Sequence, residues 1–285
     1  MTIAVVGMGL IGGSLCRAFK QYTPHRVLGW TRNQKTVAFA RSVEAIDGPL
    51  TDLREPDVVF VALPPEATIR YLTEHVGDFR PGTVVADICG VKQPIIDAVD
   101  RLYHDHGIRY VGTHPMAGKE VAGFANSDVD LYKNASYIIT PTALTDPAAV
   151  ETLKALASAI GFTRIELTDP MRHDTIISYT SQLAHVVSSA YIKSPTAALT
   201  LGFTAGSFQD MTRVAKLDPD IWTSLFAMNR GPLLQEINTL LDNLTVFRDA
   251  LAAEDLSQVH ALLQRGRELR EEVLLRQHQQ HTGTD

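Results

Sequence analysis

The sequence predicts an α/β protein with two parts: a doubly wound domain built on a mostly parallel sheet, followed by an all-helical domain. Short runs of β-branched residues alternate with helically spaced apolar residues across residues 2–167, a pattern typical of a parallel sheet covered by helices. A glycine-rich turn joins the first strand to the first helix. After Asp169 the strand signals stop and only helical patterning continues.

The first part is predicted to contain seven strands and five helices. The strands are residues 3–6, 26–30, 58–63, 83–87, 109–111, 137–140 and 163–167. The helices are residues 10–19, 34–42, 67–76, 91–104 and 147–160. Asp146, directly before Pro147, supplies the last of these helices with an N-cap residue and a first-position proline.

The helical part is predicted to begin after a boundary near Thr168, so that residues 1–168 form the first domain and residues 169–285 the second. Turn-forming pairs at 194–195, 218–219, 231–232 and 254–255 divide the second domain into roughly five helices. In residues 233–251 apolar side chains recur at spacings of three and four, over a face wide enough to pack on more than one neighbour. We therefore expect a homodimer formed through the helical domain.

Composition and charge exclude several classes of protein. Of the 285 residues, 45% are hydrophobic and 20% are charged, as in ordinary globular proteins. The net charge is −6 and the Lys and Arg residues are scattered, so we expect no nucleic-acid partner. The longest apolar stretch, residues 58–65, is far shorter than the ~20 residues of a membrane span, and we expect no membrane partner.

The cysteines and the N-terminal segment indicate a cytoplasmic protein. Cys16 and Cys89 lie far apart, within or beside apolar segments, which suits two reduced, buried thiols rather than a disulfide framework. No Cys, His, Asp and Glu spacing matches a metal site. The N-terminal segment lacks the basic region and cleavage site of a signal peptide and is interpreted as folded structure.

Residues 7–12, GMGLIG, have the G-x-G-x-x-G pattern of a Rossmann-type dinucleotide-binding turn. Such glycines allow a tight turn and close approach to a pyrophosphate, while the helix that begins there supplies N–H donors. Because a predicted strand precedes the motif and a helix follows it, we take Gly7, Gly9, Leu10, Ile11 and Gly12 as cofactor-binding residues. A glycine-rich turn without a ligand is the alternative.

Further cofactor-binding candidates lie at the ends of later strands, namely Leu63, Pro64 and Asp87, although Asp87 could equally cap the helix that follows it. The second strand ends in GWTRN, without the carboxylate that binds the ribose 2′-hydroxyl in NAD enzymes. Thr31 and Arg32 can instead bind a 2′-phosphate, so the sequence favours NADP over NAD. The alternative is that Arg32 faces solvent and NAD is accepted.

His114 and Arg213 are the strongest candidates for chemistry. His114 lies just past a predicted strand, where parallel sheets bind ligands, and a histidine can take the proton of a carbinol oxygen as hydride leaves; a loop histidine bonded to backbone is the alternative. Arg213 ends a polar cluster, and its guanidinium suits a substrate carboxylate or half of a structural ion pair. His173 and His185 are twelve residues apart, too far to chelate a metal together, and most such histidines are structural.

Four segments together resemble the prephenate/arogenate dehydrogenase family of tyrosine biosynthesis, a branch of aromatic amino acid biosynthesis. They are GMGLIGGSL at residues 7–15, G-x-HPMAG at 112–118, SQLAH at 181–185 and F-x-D-x-TR at 208–213. Their order and spacing fit from residue 2 to about residue 276. The first segment is common to many dehydrogenases, whereas the other three together are specific.

The resemblance implies a prephenate dehydrogenase, an oxidoreductase. Hydride passes from ring C4 of prephenate to NAD(P) and the ring carboxylate leaves as CO2, giving 4-hydroxyphenylpyruvate. By residue match, His114 deprotonates the ring hydroxyl, Arg213 and His185 hold substrate groups, and Trp222 lines the pocket.

Two positions depart from the family's pattern. Gly90, in DICGVK at residues 87–92, stands where family members usually carry a serine that assists the histidine. The segment SQLAH stands where they carry SHLPH, so only the second histidine, His185, carries over. Gly90 and Lys92 complete the substrate-binding candidates, with a solvated surface charge as the alternative for Lys92.

Three other functions remain open at this point. Arogenate dehydrogenase uses the same chemistry on an alanyl side chain, although His185 favours prephenate. A β-hydroxyacid or pyrroline-carboxylate type reductase shares both halves of the architecture but does not explain the segment around His114. A non-catalytic NADP-binding sensor would bind the cofactor without turnover, an idea that the missing hydroxyl at Gly90 supports.

Overall fold

The structure is a computed structural model that describes residues 1–282. Backbone contacts divide the chain into two compact units, Met1–Leu233 and Leu234–Asp285.

In the first unit an eight-stranded sheet is found among the described residues, in the order β3-β2-β1-β4-β5-β6-β7-β8. The strands are β1 (Thr2–Val6), β2 (Arg26–Trp30), β3 (Gly48–Pro49), β4 (Val58–Val61), β5 (Val84–Asp87), β6 (Arg109–Pro115), β7 (Ser136–Thr140) and β8 (Arg164–Leu167). Only the β6–β7 pairing is antiparallel, so the predicted doubly wound, mostly parallel sheet is confirmed. The edge strand β3 was not predicted, because two residues are too few to show a pattern.

The sheet reverses its strand order at β1, which pairs with β2 on one side and β4 on the other. Open parallel sheets bind ligands in the crevice outside the carboxyl ends of such strands. The turn after β1 is the glycine-rich segment, and β6 ends at the same edge of the sheet in the segment that contains His114. The topology therefore places both predicted motifs on the ligand-binding side of the sheet.

Helices cover the sheet and continue beyond it. Those of the first unit are α1 (Leu10–Tyr22), α2 (Gln34–Ser42), α3 (Pro65–Glu74), α4 (Gln93–Asp105), α5 (Pro147–Ala159), α6 (Pro170–Ile177), α7 (Ala184–Tyr191), α8 (Gly206–Thr212), α9 (Pro219–Met228) and the start of α10 (Arg230–Ala252). The predicted cap of α5 is confirmed, because the Asp146 side chain accepts a hydrogen bond from the Ala148 N–H at 2.8 Å. Asp218 caps α9 in the same way.

The core lies on both faces of the sheet. On β1, Ile3 and Val5 belong to one cluster of buried side chains, whereas Ala4 and Val6 belong to the other. Successive residues of a strand point to opposite faces, so a strand covered on both sides must be apolar throughout. This explains why the sequence shows continuous apolar runs, such as residues 58–61, in place of an alternating pattern.

Helices α6 and α7 are joined by a π-helical turn, Ser178–Leu183, so the chain is helical from Pro170 to Tyr191. Such turns insert one residue into the helical repeat and are frequent at functional sites. The helical periodicity of the sequence predicted the helix but not this turn. The turn contains Ser181 and Gln182, which both reach the pocket around His114.

The second unit contains the rest of α10 and helix α11 (Leu256–Thr282). The predicted break at residues 254–255 is confirmed: Glu254 has a φ of 52°, and the Asp255 side chain accepts a hydrogen bond from the Gln258 N–H at 2.9 Å. Leu241, Leu244 and Leu251 of α10 are each more than half exposed. Within residues 1–282, no helix combines the length and apolar character that a membrane span requires.

Candidate active site

A cavity of about 580 Å³ lies beside the glycine-rich turn, at the carboxyl ends of β1, β2 and β4. The predicted cofactor-binding residues that line it are Gly7, Gly9, Thr31, Arg32, Leu63 and Pro64. Met8, Trp30, Ala62, Ala67, Arg70, Tyr71, Glu74 and His75 complete the lining. The structure thus brings together residues from three separate strand ends, as parallel topology requires.

The glycines of the turn fit the binding of a pyrophosphate. Gly7 has a φ of +95°, and a Cβ there would lie 2.3 Å from the Ala62 carbonyl oxygen, while a Cβ on Gly12 would lie 1.9 Å from the Gly7 oxygen. A Cβ on Gly9, in contrast, would have no atom within 4 Å, and Gly9, the N-cap residue before α1, provides no side-chain cap. The turn is therefore tightly packed at Gly7 and Gly12, whereas the space beside Gly9 is open to a ligand.

The first residues of α1 offer main-chain N–H groups as hydrogen-bond donors to a phosphate. The first intrahelical bond runs from the Gly13 N–H to the Gly9 oxygen at 2.9 Å, so the N–H groups of Leu10, Ile11 and Gly12 precede the helical ladder. Their side chains do not line the cavity. These three residues can therefore reach a phosphate only through their main-chain N–H groups.

Asp87 and Lys92 form a fully buried ion pair and line neither the cavity at the turn nor the pocket around His114. The Tyr110 hydroxyl and the Cys89 N–H also donate to the Asp87 carboxylate, at 2.7 and 2.9 Å. The Lys92 ammonium donates to the Thr113 carbonyl oxygen at 2.6 Å. Lys92 is therefore not a surface charge: it ties the end of β5 to β6 directly before His114.

A second pocket, of about 350 Å³, surrounds His114. Its lining residues are Gly90, His114, Pro115, Met116, Ala117, Gly118, Ile177, Ser181, Gln182, His185, Trp222 and Leu225. The predicted residues Gly90, His114, His185 and Trp222 thus come together from the loop after β5 and from β6, α7 and α9. The rings of His185 and Trp222 are in contact, with centroids 3.7 Å apart.

His114 is the first member of a chain of three polar side chains. Its Nδ1 lies 3.0 Å from Nε2 of His173, and Nδ1 of His173 lies 2.7 Å from Oδ1 of Asp174. Burial, with a smaller effect of His173 and of the Lys92 charge, holds the pKa of His114 well below its ordinary value. His114 is therefore neutral at neutral pH and able to accept a proton.

Asp174 also caps a helix from a distant part of the chain. Its Oδ1 accepts a hydrogen bond from the Lys92 N–H at 2.8 Å and its Oδ2 accepts one from the Gln93 N–H at 2.9 Å. The sequence left Asp87 as the candidate for capping this helix, α4, but α4 begins at Gln93 and Asp174 performs that role.

Arg213 lies outside the pocket lining, with a side chain that is 65% exposed and ion-paired with Glu120. Its neighbour Val214 accepts a hydrogen bond from Nδ1–H of His185 at 3.0 Å, so the Arg213 segment is tied to the edge of the pocket. Burial is the largest of the effects that lower the pKa of His185. His185 is therefore neutral, with Nε2 as its hydrogen-bond acceptor.

Sequence reasoning set His173 aside as structural, quoted Ser181 and Gln182 only as part of the SQLAH segment, and did not consider Asp174. Both His173 and Asp174 are buried, although aspartates are mostly exposed and histidines are on average only partly buried. The available signal was the adjacency of a histidine and an aspartate one turn after the cap residue Asp169, on the helix that leads into the SQLAH segment. Nothing in the sequence indicated that this helix packs against β6.

The two cysteines fit the prediction. Cys16 and Cys89 are buried and neither forms a disulfide. Burial raises the pKa of both thiols to about 12.

Fold and site together define a class: the dehydrogenases that pair a Rossmann-type nucleotide-binding domain with a helical domain. Residues 15–166 match the family model "Prephenate dehydrogenase, nucleotide-binding domain", and residues 169–265 match "Prephenate dehydrogenase, dimerization domain". The chain belongs to the prephenate dehydrogenase family, a family of oxidoreductases, and the family that the sequence motifs indicated is confirmed.

Individual relatives support the same family membership. The chain is 29% identical over 288 residues to prephenate dehydrogenase of Bacillus subtilis, covering 97% of this chain and 77% of that protein. It superimposes on Synechocystis arogenate dehydrogenase with a TM-score of 0.81 and 27% identity, covering 96% of this chain and 100% of that one. A prephenate dehydrogenase from A. aeolicus, solved in complex with hydroxyphenyl propionate and NAD+, has the same fold, with a TM-score of 0.83, 23% identity and coverage of 96% and 98%.

Proposed function

We propose that this protein oxidises prephenate to 4-hydroxyphenylpyruvate and CO2, with NAD(P) as the hydride acceptor. The observation that carries the proposal is the position of His114: it lies at the carboxyl end of β6, half-buried and lining a pocket, with a lowered pKa that leaves its imidazole unprotonated. The family membership supplies the reaction class.

NAD(P), held beside the glycine-rich turn by Gly7, Gly9 and the main-chain N–H groups at the start of α1, would supply the acceptor for the hydride of ring C4. His114 accepts the proton of the C4 hydroxyl at Nε2 as the hydride leaves, so that a carbonyl can form. Loss of the ring carboxylate as CO2 then returns an electron pair to the ring, and His114 gives its proton back to the phenolate oxygen. The proton balance at His114 therefore closes within one turnover.

Substrate recognition divides between the pocket and its edge. Trp222 and His185 form a ring pair against which the cyclohexadiene can pack, and Gly90 leaves space beside Nε2 of His114. Arg213 would exchange its exposed ion pair with Glu120 for a substrate carboxylate. The buried ion pair of Asp87 and Lys92 stabilises the end of β5 and the part of β6 that carries His114.

We also propose NADP as the preferred cofactor. Thr31 and Arg32 line the cavity directly after β2, where a 2′-phosphate would lie in this architecture. Arg32 is exposed and can turn towards such a phosphate without breaking an internal contact among the described residues.

Arogenate is the second candidate substrate, because the Synechocystis relative is an arogenate dehydrogenase. The test is the appearance of reduced nicotinamide with purified protein, given first prephenate and then arogenate. We expect the larger kcat/KM with prephenate. Cofactor binding without turnover of either substrate would favour the sensor function and overturn the proposal.

Three properties of the whole protein complete the proposal. We place the domain boundary near residue 168, between the two matched family models. The exposed leucines of α10 and the match to a dimerization domain support a homodimer formed through the helical domain. A cytoplasmic location suits an enzyme with two unpaired cysteines.

A further inference from the structure

We infer that His173 and Asp174 are positioning residues for His114: they hold its ring in one tautomer, with the proton on Nδ1 and the lone pair of Nε2 towards the pocket. The inference deepens the proposed function, since it concerns the base of the same reaction. It is carried by the two distances that link the three side chains, 3.0 and 2.7 Å.

The hydrogen bonds determine where the protons lie. Both carboxylate oxygens of Asp174 accept hydrogen bonds from main-chain N–H groups, those of Lys92 and Gln93. The carboxylate therefore acts as an acceptor towards His173 as well. Nδ1 of His173 therefore carries a proton and donates it to Oδ1 of Asp174. A neutral His173 then has a lone pair on Nε2, and Nδ1 of His114 must be the donor to it.

The same assignment makes Nε2 of His114 the base. The opposite tautomer would place two lone pairs 3.0 Å apart between the two rings and would lose one hydrogen bond. A polar group that is removed from water and left without a hydrogen-bond partner is unfavourable. The geometry therefore selects the tautomer that can accept the substrate's hydroxyl proton.

Asp174 is itself fixed in place. Nδ2 of Asn229 donates to the main-chain oxygen of Asp174 and to Oε1 of Gln182, both at 2.8 Å. The start of α4 thus holds the Asp174 carboxylate. Asn229, the residue after α9, holds the main-chain oxygen of Asp174 and is itself bonded to Gln182 of the π-helical turn. A carboxylate held in this way can orient an imidazole without moving during turnover.

Residue 90 cannot take over this role. A Cβ at Gly90 would lie 3.7 Å from Nε2 of His114, so a side chain there could contact the ring from the pocket side, but glycine has none. The orientation of His114 therefore depends on the Nδ1 side, where His173 lies.

His173 and Asp174 also stabilise the positive charge that develops on His114. When the proton of the substrate hydroxyl arrives at Nε2, the imidazolium keeps its Nδ1–H donated to His173, which is in turn bonded to the Asp174 carboxylate. The other charged groups that face His114 and His173 are Lys92 and Asp87, which neutralise each other as an ion pair. No proton needs to leave His114 by this route.

The first test measures the tautomer directly in the unmodified protein. The ¹⁵N shifts of the ring nitrogens, with His114 assigned by comparison with His114→Gln, should show a protonated Nδ1 and an unprotonated Nε2. In His173→Leu the His114 signals should move towards a mixture of tautomers. An Nε2-protonated His114 in the unmodified protein would overturn the inference.

The second test is kinetic. His173→Leu should lower kcat by about 10–10²-fold, which is part of the effect of a general base, with little change in the KM for substrate or for cofactor. It should also move the acid limb of the pH profile to lower pH, because the protonated His114 loses the acceptor for its Nδ1–H. His173→Gln keeps an acceptor near Nδ1 and should recover part of kcat. His104→Leu is the matched control, since His104 is a half-exposed histidine whose Nδ1 lies 3.3 Å from the neighbouring Asp105; it should be unchanged.

The two tests separate the inference from the proposed function. Equal kcat in His173→Leu and the unmodified enzyme, with a folded variant by circular dichroism, would contradict the positioning role. Lack of turnover of prephenate and arogenate by the unmodified protein would defeat the proposed function, while the ¹⁵N spectrum of that protein would still decide the tautomer.

Discussion

Replacing Lys92 with methionine should destabilise the protein without a specific effect on substrate binding. Lys92 and Asp87 are both fully buried, so the Lys92→Met variant leaves a carboxylate whose remaining partners among the described residues are the Tyr110 hydroxyl and the Cys89 N–H. It also leaves the Thr113 carbonyl oxygen without its Lys92 donor. Breaking a buried pair from one side costs roughly 3–5 kcal/mol, a large part of the ~5–15 kcal/mol that stabilises a typical protein.

Urea denaturation followed by far-ultraviolet circular dichroism measures this cost. With a slope of about 2 kcal/mol/M, the midpoint should fall by roughly 1.5–2.5 M. The double variant Asp87→Asn/Lys92→Met should recover most of the loss, because removing both charges abolishes the unpaired carboxylate. Lys193→Met, at an exposed lysine, is the control and should keep the original midpoint.

The opposite pattern would refute this reasoning. If Lys92→Met keeps the denaturation midpoint and instead raises KM for the substrate, then Lys92 contacts substrate and its buried ion pair is not structural. A double variant as unstable as Lys92→Met alone would likewise show that the unpaired carboxylate is not the cause.

The remaining predictions concern the site and the assembly. His114→Asn should lower kcat by roughly 10²–10⁴-fold with cofactor affinity nearly unchanged, and a near-original kcat in this variant would remove His114 from the mechanism. The unmodified enzyme should keep its activity down to below pH ~6.5, because the lowered pKa of His114 leaves the base unprotonated there. Arg213→Ala should raise the substrate KM by about 10–100-fold, as expected for a charge-assisted bond of ~1.5–3 kcal/mol, while thermal stability stays constant because the ion pair with Glu120 is exposed; a change in NADP affinity instead would place Arg213 elsewhere. Arg32→Ala should reduce a preference for NADP that is roughly tenfold or more in the original enzyme, and equal kcat/KM with NAD in that enzyme would contradict the cofactor proposal. Light scattering at micromolar concentration should give a dimer mass, and a monomer would reject the proposed homodimer.

The sequence by itself determined the class of fold and the family. Strand–helix alternation, the GMGLIG turn and the change to helical patterning after Asp169 are local signals, and they suffice because a parallel sheet buried on both faces needs continuous apolar strands. That His114, Gly90, His185 and Trp222 contribute to one site could also be predicted from local signals. His114 and His185 lie in segments that are specific to the family, and Gly90 lies next to a strand end.

Only the tertiary structure decided the partners of these residues. His173 meets His114 across 59 positions of sequence, and Asp174 caps α4 across about 80. Such contacts depend on how α6 packs against β6 and α4, which no periodicity encodes. The same holds for Lys92: a lysine in a strand-end loop is expected at the surface, and only the packing around Asp87 shows that its charge is buried and paired.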